Sequence, residues 1–125
     1  MTGNNIIEKN KDFDDEKHAK IQAVLGYSSN YIKTDKFEEA DLRCRFGGIE
    51  VHFNKAKLHN GKGTIRVDLS FGVIELYIPK EWIVRKNVKV VLGVVEEKGT
   101  SEGESGNYLN LMGNVSFGAV EIIYV

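Results

Sequence analysis

The sequence predicts an all-β protein: a single-domain β-solenoid (β-helix-like) of about five glycine-cornered repeats. Three observations predict it: a repeated phrase, a polar–apolar alternation before each copy, and a change of phase after it. The phrase reads FGGIEVHF from Phe46, FGVIELYI from Phe71, LGVVEEKG from Leu92 and FGAVEIIYV from Phe117, with a weaker copy, LGYSSNYI, from Leu25. Successive copies start alternately 21 and 25 residues apart. Such regularity marks a repeat architecture, in which each unit covers the apolar face of the next.

The alternation comes first in each unit. Two and four residues before the anchor stand Ala23 and Ile21, Cys44 and Leu42, Leu69 and Val67, Val90 and Val88, and, in the last copy, Val115 and Gly113. Three before it stand Gln22, Arg43, Asp68, Lys89 and Asn114, all polar. This is the period of a strand with one buried face. Beyond the anchor the apolar residues fall at odd spacings: Ile49, Val51 and Phe53; Ile74, Leu76 and Ile78; Val120, Ile122 and Tyr124. One extra residue has entered at Gly26, Gly47, Gly72, Gly93 and Gly118, and a glycine at a phase change signals a bulge or sharp bend. Each unit therefore reads as strand, glycine corner, strand, loop.

Units this short leave no room for a βαβ crossover, which needs about 30 residues. They suit solenoid coils whose equivalent strands stack about 4.8 Å apart. Leu25, Phe46, Phe71, Leu92 and Phe117 are then expected to form an internal core ladder. A two-sheet β-sandwich of antiparallel pairs is the alternative. The turn cluster from His59 to Gly63 and the polar run KGTSEGESGN from Lys98 supply the longer connections, the latter expected to be flexible. Pro79 ends a strand, where proline is tolerated.

Composition narrows the function. Seventeen basic and eighteen acidic residues leave a net charge of −1, which gives no footprint for nucleic acid or an anionic membrane. The single cysteine, Cys44, excludes an intramolecular disulfide and a CxxC zinc site. No apolar run approaches the roughly 18 residues of a membrane span. Residues 1–17 read as a polar tail without a signal peptide's apolar stretch, and 18–125 as the domain. The expectation is a soluble, cytoplasmic chain that reaches a membrane only through a partner.

No nucleophile elbow, HExxH, Walker-type or GxGxxG motif is present. No catalytic, cofactor or metal residue is assigned, and the chain is read as a non-enzyme. The most regular polar feature is a glutamate four residues past an anchor: Glu50, Glu75, Glu96 and Glu121. Stacked coils would align these as a surface row able to meet a cation or a basic partner, although each could simply pair with a nearby base. His18, His52 and His59 share no metal-ligand spacing and read as surface residues. Cys44 lies at a core phase and reads as an inert thiol. Tyr27, Tyr31, Phe37 and Trp82 read as caps over the core, with a contact patch as the alternative. Val120 to Val125 is expected to be an uncovered terminal edge that closes a two-fold homodimer, because closed pairing satisfies an edge without growing a filament.

The run FGGIEVHFNKAKLHNGKGTIRVDLSFGVIELYIPKEW, the following VKVVLGVVEEKG and the terminal FGAVEIIYV resemble the C-terminal domain of LiaF-type proteins, the cell wall-active antibiotics response family. The resemblance covers about Ala23 to Val125. It implies a β-helix-like domain and a regulatory role in bacterial envelope stress, where such proteins restrain a membrane sensor kinase and its response regulator. Regulators of that kind carry N-terminal transmembrane helices that this sequence lacks, so the resemblance implies a soluble relative or an excised domain. The alternatives are a self-assembling bactofilin-like scaffold and a carbohydrate- or metal-binding β-helix.

Overall fold

A computed structural model describes residues 9–13, 17–103 and 106–125. Six strands follow one another: β1 (Lys9–Phe13), β2 (His18–Ile32), β3 (Glu39–His52), β4 (Lys62–Ile78), β5 (Ile83–Lys98) and β6 (Tyr108–Tyr124). Every strand pair is parallel, which removes the antiparallel sandwich and gives a β-solenoid of about four turns. Among the described residues no helix is long and apolar enough to cross a membrane.

Each long strand bends at its repeat phrase into two arms that face one another. Lys86 on the first arm of β5 meets Glu97 on its second arm at 2.5 Å, so the inner faces meet across the interior. The inward residues are those of the alternation and its phase change. Leu42, Cys44, Ile49 and Val51 of β3 are buried, as are Val67, Leu69, Ile74 and Leu76 of β4 and Val115, Val120 and Ile122 of β6. Burying each larger aliphatic side chain contributes about 1.5–3 kcal/mol. The open side of the bend is closed by the connections. Phe37, Phe53 and Trp82 are buried there, with Phe53 edge-on to Phe37 at 5.2 Å.

The structure corrects several expectations. The anchor residues are not in the core: Leu25, Phe46, Phe71, Leu92 and Phe117 are 48–70% exposed. Their spacing from the preceding buried pair suggested an inward position, but the backbone turns at the anchor or at the glycine after it and swings the side chain outward. Phe37, in contrast, is fully buried. The coils also do not stack in chain order, since the sheet runs β1-β2-β3-β4-β6-β5. Because β6 lies between β4 and β5, the segment Val120 to Val125 is no free edge and cannot close a homodimer by edge pairing; the outer strand at that end is β5. Its would-be core residues Val88 and Val95 are accordingly only partly buried and Val90 is exposed.

The polar tail is not wholly separate from the domain. Its residues Lys9–Phe13 pair with Ser28–Ile32 and cover part of the β2 edge. The polar run after Lys98 is tied down over its described part: the Glu102 amide donates to the Lys80 carbonyl at 2.7 Å, and the Ser101 hydroxyl donates to the Trp82 carbonyl at 2.7 Å.

Candidate functional site

The outer side of the corner carries the least ordinary backbone in the molecule. Phe71, Phe117 and Leu92 adopt left-handed φ values of 58°, 56° and 54°, a conformation that costs an L-residue roughly 1–2 kcal/mol. In β2 and β3 the following glycine takes the positive φ instead, 119° at Gly26 and 139° at Gly47. Either way the chain reverses its facing. Once outside, the aromatic anchors stack: Phe46 on Phe71 at 5.2 Å and Phe71 on Phe117 at 4.9 Å, with rings within 6° of parallel. Leu25 continues the ladder beyond Phe46, and Leu92 beyond Phe117.

The glycine column beside this ladder lets successive coils touch backbone to backbone. A Cβ on Gly72 would stand 2.2 Å from the Gly47 carbonyl oxygen, and one on Gly118 would stand 2.4 Å from that of Gly72. Gly93 faces the Gly118 oxygen in the same way, at 2.3 Å. At Gly72, Gly93 and Gly118, then, the missing side chain matters for stacking, whereas the strained φ belongs to the residue before.

The second arm continues the site away from the corner. Val73 and Val94 stay exposed, and the Tyr27 ring lies over Gly48, about where a Cβ would be. The next outward column is the glutamate row. Glu50 is in register with Glu75, Glu75 with Glu121, and Glu121 with Glu96. Glu50 is 2.6 Å from His52 Nε2 and Glu121 is 2.7 Å from Lys98. Glu75 and Glu96 form no hydrogen bond or ion pair with a described side chain. Partial burial, then the charges of Glu121 and Glu50, hold the Glu75 carboxyl above the usual range. One column further on, His52 is sandwiched between Tyr31 at 4.7 Å and Tyr77 at 4.3 Å. This second ladder was not singled out in the sequence, although the column six residues past the anchor (Tyr31, His52, Tyr77) carried the signal.

Other candidate groups do not join this face. Cys44 is buried, and desolvation pushes its thiol up to about 11. His18 and His59 approach Glu38 at 3.4 and 3.8 Å, but no group of described residues could hold a metal ion. A depression of about 530 Å³ on the first arm is lined by Asp41, Arg43, Arg66 and Asp68, whose charges are engaged in ion pairs across coils. Of the aromatics read as caps, Phe37 and Trp82 are buried, while Tyr27 is exposed on the candidate face.

Chemically the site is a flat apolar stripe bordered by carboxylates, and it assembles no nucleophile with a base. No protein-family model matches the chain, and neither a curated protein nor a solved structure matches it.

Proposed function

We propose that this protein is a non-catalytic regulatory module that docks a protein partner on the corner ladder and carboxylate row, in the bacterial cell-envelope stress response that its resemblance to LiaF-type domains implies. The reading is carried by the exposed phenylalanine ladder: Phe71 and Phe117 are held outward at a backbone cost. Large apolar side chains displayed contiguously at such cost mark binding surfaces. The partner on this reading is a component of a sensor-kinase system, met in the cytoplasm or at the membrane that anchors it.

The outer strand β5 offers an edge for end-to-end growth, the scaffold alternative. Lys86 and Glu97 occupy inward positions of that last coil, opposite Leu111 and Ile122. Inward-pointing charges on an edge strand disfavour stacking of another coil, so the interaction reading is preferred.

The test places a photo-crosslinking residue at Phe46 or, as an off-face control, at Arg66 in bacteria exposed to a cell-wall-active antibiotic. Capture of a sensor-kinase system component from Phe46 and not from Arg66, with an altered transcriptional response when the gene is deleted, is expected. Equal capture at both positions, or an unchanged antibiotic response on deletion, overturns the proposal.

A further inference from the structure

The corner ladder and the glutamate row together specify the chemistry of what they bind, an inference that rests on the interaction reading above. The ladder crosses five strands, β2, β3, β4, β6 and β5, and so spans four steps, about 19 Å at the spacing of parallel strands. The carboxylates run parallel to it, four residues along the strand and therefore roughly 10–13 Å away. An α-helix laid along the solenoid axis has a diameter of about 10–12 Å, and roughly 13 of its residues match the ladder's length. Glu75 and Glu96, the two carboxylates without an ion pair to a described side chain, are separated by the Glu121 coil and so stand two steps, about 9.6 Å, apart. Helix residues seven positions apart lie on one face about 10.5 Å apart. The other flank of the ladder carries Arg45, paired with Asp68 at 3.6 Å, so the surface is electrostatically one-sided. We infer that the face docks a basic amphipathic helix of a partner protein, its apolar stripe on Phe46, Phe71 and Phe117 and its lysines or arginines over Glu75 and Glu96.

Helix-on-surface recognition of this kind draws its affinity from aromatic anchors and its orientation from the charged border. An acidic helix would meet repulsion from Glu75 and Glu96, the carboxylates of the row without an ion pair to a described side chain. An anionic lipid surface would be repelled by the same row.

The probe is a fluorescent synthetic helix of leucine and lysine about 18 residues long, long enough to be helical when bound, with a leucine–glutamate peptide of the same pattern as control. Anisotropy should show the parent binding the lysine peptide and not the glutamate peptide. Phe71→Asn with Phe117→Asn should weaken binding by at least roughly tenfold, since asparagine tolerates the left-handed backbone and removes only the ring. Should that pair fail to fold, Phe46→Gln, at a position without positive φ, removes one anchor alone. Glu75→Gln with Glu96→Gln should weaken binding and flatten its salt dependence. Equal binding of both peptides overturns the inference, as does ladder-dependent dimerisation of the parent in sedimentation or its flotation with phosphatidylcholine vesicles. Crosslinking of a partner at Phe46 without lysine-peptide binding would reject the basic helix while leaving the interaction module standing.

Discussion

Phe71 and Phe37 exchange the roles that their surroundings in the sequence suggest. Phe71 stands two residues after buried Leu69, in phase for the core, yet its own left-handed φ of 58° turns it out. Phe37 lies in a short connection between charged residues, yet it plugs the open side of the bend. Alternation reads which face a straight strand buries; it does not read a reversal made within a single residue. Phe37→Ala should therefore cost about 3–5 kcal/mol through the cavity it leaves, whereas Phe71→Asn should cost less than about 1 kcal/mol, since it touches no core contact. Urea denaturation of both variants checks this, and equal losses would count against the outward ladder. The glycines separate two causes in the same way. Gly72→Ala meets the Gly47 carbonyl at 2.2 Å without a positive φ, whereas Gly99→Ala meets only ordinary contacts, the closest at 3.5 Å, at a φ of 85°. The first should destabilise by more than the roughly 1–2 kcal/mol expected of the second from backbone strain alone. Melting curves that rank them the other way would place the cost in conformation, not stacking.

At the scale of the element, the arms and corners were legible because periodicity reports burial directly: the residues two and four before the anchor, and three and five after it, point inward in β3 and β4 as their spacing implies. The glutamate row was legible for the same reason, since equal repeat positions become neighbours on adjacent strands. Its environment was not, because burial and neighbouring charge depend on which coil sits where. Glu75 holds its proton more tightly in the folded chain than in the unfolded one, first through burial and then through Glu121 and Glu50. Its stabilising contribution is thus complete below the ordinary carboxylate range and is lost as pH rises through the raised folded value. Glu97 behaves oppositely. Hydrogen bonds from Lys86 and Tyr124 lower its value, so its contribution is present above the ordinary range and fades as pH falls through the lowered one. Glu75→Gln should leave stability at neutral pH unchanged or raised and should remove the parent's relative gain on acidification toward pH ~4. Thermal melts across that range test the sign, and a variant less stable than the parent at neutral pH would contradict it.

For the whole molecule, coil order was the feature the sequence hid, because all the long strands carry the same register and a repeat cannot say which copy lies beside which. The insertion of β6 between β4 and β5 becomes intelligible through Lys86 and Glu97. Were β5 packed on β4 with β6 outside it, both inward charges would be sealed between apolar coils, at a desolvation cost that their attraction need not repay. On the outermost coil they reach water and one another. Paired cysteines can report the order, since outward Ser70 and Ser116 are neighbours at a separation that suits a disulfide. Ser70→Cys with Ser116→Cys should close in the parent, and Ser70→Cys with Val91→Cys should close only when Lys86→Leu and Glu97→Leu are also present. Ready closure of the second pair in the parent would reject the role given to the charges. A chain made from its N-terminus releases β5 before β6, when β3 covers one edge of β4 and the other is still open to a strand of matching register. In the finished sheet that place belongs to β6. Were β5 to pair there first, the inward Lys86 and Glu97 would weaken the contact, so the charges that end the finished stack also disfavour the wrong one.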